Sequence, residues 1–253
     1  MKKVLWLLLL LGVLPFTTYS QGIDVQPRFV IDKPTAGVLP RAGVDFSLRA
    51  FGNGGLIGNI DVGISERFMF GVSYGGTNVL GNDKINWNQN PGVTARYQFF
   101  EEGPDAPALT AGFDSQGYGV YVDTLKRYIN KSPGFFVVVS KSYEIFHHAD
   151  GHLGVNYSLE TADRDRSPNV FVGASLAFSS DFEMLAEYDF ALNDDSNGAN
   201  TINSGKGFLN MGARLNISNV VYIEFFVKDI LENRRNIANA NRELKITYFQ
   251  FIQ

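Results

Sequence analysis

Leu209-Asn210-Met211-Gly212-Ala213-Arg214-Leu215-Asn216-Ile217-Ser218-Asn219-Val220-Val221-Tyr222-Ile223-Glu224-Phe225-Phe226-Val227-Lys228 is the most informative stretch of this chain. Leu209, Met211, Ala213 and Leu215 alternate with Asn210, Arg214 and Asn216. After Ser218-Asn219, Val221, Ile223, Phe225 and Val227 alternate with Tyr222, Glu224 and Lys228. Successive side chains of a strand point to opposite faces, so each half reads as a strand with one apolar and one polar face. The tight connection makes the two a hairpin. Counting across it brings Arg214 near Glu224 or Tyr222, and counting back across 193–205 brings it near Glu183.

The same period of two recurs along the chain. It marks 44–50, closed by the hairpin signal Asn53-Gly54, then 56–64, 68–74, 93–99, 109–113 and 135–143. It continues through 153–159, 170–178, 182–190 and 244–248. With the opening hairpin this makes about twelve strands, an even number as in bacterial outer-membrane barrels. The connections alternate in length. Those at 75–91, 115–132, 161–167, 193–205 and 229–242 are long, while 65–66, 179–181 and 218–219 are tight. In the tight set, 101–107 and 144–151 are longer. Long loops on one rim and short turns on the other is the outer-membrane pattern, with both termini on the short-turn side.

Apolar strand faces end in aromatics such as Phe99, Phe100, Phe178, Phe182, Tyr188, Phe190 and Tyr248. Aromatic girdles of this kind mark membrane interfaces. The expected fold is therefore all-β, a single transmembrane antiparallel up-and-down barrel, with its apolar face toward lipid. An exported soluble β-barrel or sandwich that binds a ligand is the competing reading, with the apolar face inward.

Residues 1–20 read as a secretory signal, with Lys2 and Lys3 ahead of the apolar run 4–13 and small residues Thr18 and Ser20 before Gln21. That run is shorter than the about 20 residues a helix needs to span a bilayer. Residues 21–40 are assigned to the periplasm or the lumen, and 41–253 to an outer-membrane barrel. Lying in the lumen, 21–40 would block a channel. Removing Lys2 and Lys3 takes the net charge from −4 to −6. A mildly acidic chain without a large basic patch argues against nucleic acid. With no Cys, disulfides, thiolate metal sites and a Cys nucleophile are excluded.

The polar strand face carries Arg49, Arg96, Arg214, Lys228 and Lys245 beside Glu183, Glu187 and Glu224, with Asp45, Asp61, Glu160, Asp189 and Glu243 also on it. Mixed signs suit cross-strand pairs inside a lumen. This face either lines a selective pore or fills a narrow barrel with salt bridges, and twelve strands favour the filled or narrow case.

Three constellations invite chemistry. His147, His148 and His152, with Asp150, have the residue types to hold Zn or Ni, but they fall in an expected turn, where a solvated loop is the ordinary outcome. Asn193-x-Asp195-x-Asn197-Gly198 begins like a calcium loop, yet the twelfth position is Ser204, which supplies no bidentate carboxylate. No His shares an expected strand face with a Ser, and a Ser–His nucleophile needs hydrogen-bond reach. The expectation is a protein that is not an enzyme, with no cofactor and no metal.

Several stretches resemble a family of Gram-negative outer-membrane barrels, the YjbH-like group linked to exopolysaccharide production. They are Asp32-Lys33-Pro34-Thr35-Ala36-Gly37-Val38-Leu39-Pro40, Gly63-Ile64-Ser65-Glu66-Arg67-Phe68 with Gly71-Val72-Ser73-Tyr74-Gly75-Gly76, and Gly112-Phe113-Asp114-Ser115-Gln116-Gly117. Lys131-Ser132-Pro133-Gly134-Phe135 and Asn241-Arg242-Glu243-Leu244-Lys245-Ile246 complete the set. Members of that group are longer, so this chain corresponds to little more than a barrel portion. The resemblance implies a place in envelope or exopolysaccharide export, with polysaccharide-export proteins as partners, and carries over no catalytic residue. The C-terminus resembles the terminal-strand signal of the barrel assembly machinery through Phe249 and Phe251, although the chain ends Ile252-Gln253. Outer-membrane lipid and that machinery are the other expected partners. Two functions follow as expectations: a non-enzymatic barrel tied to polysaccharide export, or a small passive channel like a porin.

Overall fold

The computed structural model describes residues 26–195, 202–235 and 240–252. The expected signal segment and residues 21–25 lie outside the described residues. The strands in chain order are β1 (Gly43–Phe51), β2 (Gly55–Ser65), β3 (Phe68–Thr77), the two-residue β4 (Asn86–Trp87) and β5 (Gly92–Phe100). Next come β6 (Ala108–Asp114), the short β7 (Tyr118–Val122) and β8 (Arg127–Asn130), β9 (Gly134–Tyr143) and β10 (His148–Tyr157). β11 (Asn169–Ala177), β12 (Phe182–Asp189), β13 (Phe208–Ile217), β14 (Val221–Lys228) and β15 (Asn241–Phe251) complete the order.

Twelve of these form one closed antiparallel barrel. β1 pairs with both β2 and β15, and β2 with β3, so the sheet returns on itself. β4 extends β3 above the barrel, while β7 and β8 form a separate hairpin within the 115–133 connection. Closure matters because backbone N–H and C=O groups have no water to bond in a bilayer, and only a sheet without edges satisfies them all.

Side-chain parity sets inside and outside. On β1, Phe46 and Leu48 are 42% and 46% exposed, whereas Asp45 and Arg49 are 0% and 3% exposed. Ile60, Phe70, Val72, Leu153, Val155, Met211, Phe225 and Ile246 also face outward. A soluble barrel or sandwich would do the reverse, so that reading fails here, and the outer surface is a lipid-facing one.

Turn chemistry holds the register. Asn53 and Gly54 both take positive φ (59° and 58°), as do Ser218 and Asn219 (57° and 56°). Two consecutive positive-φ residues are what the twist-matched hairpin turn requires. Gly55 N–H bonds to Gly52 C=O at 3.3 Å and Val220 N–H to Ile217 C=O at 3.2 Å across them. The second turn sets Arg214 opposite Glu224, and the β12–β13 ladder sets it opposite Glu183.

Two expectations are corrected. The connection expected at 144–151 ends at residue 147, because β10 begins at His148. Residues 115–132 are not an open loop but carry the β7–β8 hairpin.

Candidate functional site: a lumen closed by its own chain

Residues 26–42 run inside the barrel before β1 begins, and the packed core lies between them and the wall. Ala36 packs with Ala108, Phe136, Val138 and Phe171. Leu39 packs with Met69 and Phe249, and Val30 and Ile31 with Leu185 and Phe226. Burying an Ile or Leu side chain fully is worth about 1.5–3 kcal/mol. Two glycines on the wall make room for the segment. A Cβ on Gly173 would stand 2.7 Å from Val30 Cγ2, and one on Gly63 would stand 1.9 Å from the Pro40 carbonyl oxygen.

An irregular segment must satisfy its backbone polar groups somewhere. Here the wall does it. The N–H groups of Ile31, Asp32 and Lys33 all donate to Glu187 Oε2, at 3.1, 2.9 and 2.7 Å. Successive N–H groups converging in this way form an anion-binding nest. Asn210 Nδ2 donates to the other Glu187 oxygen at 3.0 Å. Further along, Ala36 N–H donates to Ser140 Oγ at 2.9 Å, while Gln98 and Thr110 donate to Ala36 C=O at 2.9 and 2.7 Å.

Ion pairs complete the filling. Arg49 reaches Glu243 at 2.6 Å and Asp32 at 2.7 Å, and Lys228 sits 2.6 Å from Asp32 and 3.2 Å from Glu243. Lys33 pairs with Asp189 at 2.6 Å, and Arg28 pairs with Asp45. Arg96 donates to Arg28 C=O at 2.5 Å and lies 4.2 Å from the Phe29 ring centroid. Arg214 spans Glu224 at 2.8 Å and Glu183 at 2.7 Å, and also donates to Phe29 C=O at 3.2 Å. Lys245 pairs with Glu224 at 3.0 Å.

The long-loop mouth closes by different means. Tyr118 of β7 turns inward beneath Arg49, whose guanidinium carbon is 4.3 Å from the ring centroid. Arg127 of β8 is 0% exposed and holds Asp163 at 2.6 Å and Asp194 at 2.5 Å. Lys131 meets the same Asp163 at 2.7 Å, and Arg234 donates to Asn130 at 3.0 Å. Burial alone would lower the Arg127 pKa, but the two aspartates outweigh it and raise it. Glu160, in the connection after β10, is pushed up to about 7 by burial, against the Ser132 N–H and the Arg127 charge.

The short-turn mouth stays open as a cavity of about 420 Å³. Gln26, Pro27 and Gly37 of the plug form its floor, and His147, His148, His152, Glu102 and Tyr222 are among its walls. His148 Nε2 meets Asp150 at 2.8 Å, Ser175 donates to Asp150 at 3.0 Å, and Ser140 Oγ lies 2.8 Å from His152 Nδ1.

No protein-family model matches the sequence, and no curated protein is similar to it. Solved structures are. The KdgM porin in complex with disordered oligogalacturonate superposes with a TM-score of 0.52 at 9% identity, over 83% of this chain and 99% of that one. This chain has the fold of an outer-membrane porin barrel. The KdgM porin in a second structure (TM-score 0.49, 8% identity, 83% and 99% covered) and the NanC porin (0.44, 11%, 83% and 100%) are also similar. The YjbH-like resemblance gains no support from these comparisons.

Of the polar residues singled out in the sequence, Arg49, Arg96, Glu183, Glu187, Arg214, Glu224, Lys228 and Lys245 all point inward. They divide into two ionic groups, Arg214–Glu183–Glu224–Lys245 and Arg49–Lys228, the latter through Asp32 and Glu243; Glu187 is the plug's anchor, and Arg96 holds the plug backbone. Glu160 lies outside the wall, in a loop. The histidines need a correction. His152 faces Ser140 directly across the β9–β10 ladder and is hydrogen-bonded to it, although no shared face is expected from the sequence. The cause is Ala149 and Gly151, outward residues too small to signal that alternation continues back to His148. Among the described residues no three His, Asp or Glu side chains converge as a metal site. The calcium-like stretch falls partly outside the described residues, and Asp194 within it is held by Arg127. What sequence reasoning misses is how residues 26–42 are held by the wall, and the Arg127 cluster.

Proposed function

We propose that this chain is an integral outer-membrane barrel that works as a narrow passive channel, held shut by its own residues 26–42, with the short-turn rim in the periplasm. It uses no chemistry of its own. The observation that carries this reading is the triple N–H contact of the plug on Glu187: a wall carboxylate is covered by the backbone of a segment that is not itself part of the wall. The lumen wall carries charge along its whole depth, which a purely structural barrel does not need. The open cavity on the short-turn side supports an approach to the plug from the periplasm.

The exopolysaccharide connection rests on the short resemblances alone, and the porin-like fold favours the passive channel over it. The oligogalacturonate of the KdgM complex is not carried over to this chain, because carboxylates exceed cations on this wall and would repel an acidic sugar.

The test is conductance in planar bilayers, on protein whose folding is shown by different mobility in dodecyl sulfate before and after boiling. Wild type should be closed or nearly so, and Glu187→Ala should conduct. Large steady wild-type conductance would defeat the plug, and silence from a folded Glu187→Ala barrel would defeat the channel.

A further inference from the structure

The geometry points to Arg28 and Lys33 as stand-ins for the solute: they sit where this lumen takes up a small organic cation bearing guanidinium or ammonium groups. This inference rests on the channel reading above.

The wall's other charges are mostly paired with one another. Arg214 is held by Glu183 and Glu224, and Glu243 by Arg49 and Lys228. Asp45 and Asp189 differ, because the cations set against them come from the plug. Arg28 pairs with Asp45, and Lys33 lies 2.6 Å from Asp189. Asp45 is 0% exposed, so its charge is fully enclosed in the plugged state. A buried carboxylate that loses its paired cation in such a place is strongly destabilising. When the plug withdraws, water and a replacement cation must take the place of Arg28 and Lys33.

The replacement has a defined chemistry. One site already accommodates a guanidinium and the other an ammonium, each on a flexible stem. A cavity of about 40 Å³ beside Arg28, lined by Asp45, Tyr222 and Glu224 among others, leaves room for water around the cation. An anion entering the same path would meet Asp45, Glu187 and Asp189, and the cations that Asp32 leaves, Arg49 and Lys228, keep Glu243 as their wall partner. The plug and the solute therefore compete for the same carboxylates, and a basic solute promotes its own entry by displacing the plug.

The experiment uses the full chain purified from membranes, with two double variants in planar bilayers. Arg28→Gln with Lys33→Gln loosens the plug and keeps the wall carboxylates. Asp45→Asn with Asp189→Asn also loosens it but removes them. In a KCl gradient the first variant should favour K⁺ over Cl⁻ by about fivefold, equivalent to about 1 kcal/mol. Agmatine, which carries one guanidinium and one ammonium, should block that current, and glutarate at the same concentration should not. The second variant should conduct without the K⁺ preference and without agmatine block. A conducting Arg28→Gln, Lys33→Gln pore that lacks both properties overturns the cation assignment and leaves the channel reading intact. If both variants fold, as shown by heat-dependent mobility, and neither conducts, the channel reading falls and this inference with it. Should the first pair fail to fold, Lys33→Gln alone is read by the same criteria.

Discussion

The lumen is closed in two different ways. Within the wall, the plug hands its backbone to strand side chains: Ser140, Gln98 and Thr110 hold Ala36 in the short-turn half, and three N–H groups converge on Glu187 nearer the long-loop end. At the long-loop rim, connections hold one another through side-chain charge, with Arg127 drawing together Asp163 and Asp194. The first closure depends on the barrel, since its acceptors and donors are strand residues. The Arg127 cluster of the second is built from residues of the connections. The wall-bound segment should therefore control passage, while the loop cluster should control the order of the outer surface.

The sharpest break of this comparison is Glu187→Ala. It strips a buried anion from three backbone donors and from Asn210, and losing one side of such a contact costs about 3–5 kcal/mol. Folded yield and the temperature of the dodecyl sulfate mobility shift should fall, together with the appearance of conductance. A variant as heat-resistant as wild type would mean that the nest contributes little to holding the plug.

Arg127→Ala should cost less, about 2–3 kcal/mol, because it removes charge-assisted hydrogen bonds at a site near the aqueous rim. The loss should be confined to the loops. Protease added to intact cells should cut within 115–133 or 158–168 in the variant sooner than in wild type, with the barrel's heat-dependent mobility unchanged. Equal loss in both measurements would show that loops and barrel are one cooperative unit.

The smallest effect sharpens the loop side further. Glu160 has its pKa raised in the folded state to about 7, so the folded protein holds a proton that the unfolded chain gives up. Stability is then fully present below the unfolded carboxylate range and is lost as pH rises through about 7. Glu160→Gln should stabilise the loop by about 1–2 kcal/mol at pH 8, after allowance for partial solvent exposure, and should do nothing at acid pH. A stabilisation that does not vary with pH would rule out this titration as its cause.

Much of the barrel was legible because lipid imposes a simple rule. Every outward position must be apolar, so Phe46, Leu48, Val172, Met211 and Phe225 announce the strands, and Ser218-Asn219 and Asn53-Gly54 announce the turns. The rule weakens where outward residues are small, which is why Ala149 and Gly151 concealed the start of β10 and the meeting of His152 with Ser140. The plug left only an indirect trace. Phe136, Phe171, Leu185 and Phe226 are apolar residues on the inward parity, where a water-filled pore has no use for them, and each packs against residues 26–40 or their neighbours in the core.

The sequence by itself determined the closed twelve-stranded wall, its inside and outside, and the local pairing of Arg214 with Glu224, because these follow from a period of two and the length of a turn. Only the tertiary structure decided what fills that wall. Contacts such as Glu187 with residues 31–33, or Lys228 with Asp32, join positions far apart in the chain. Their donors are backbone groups or common charged side chains with no distinguishing pattern, and no periodicity encodes which of them meet once the barrel has closed.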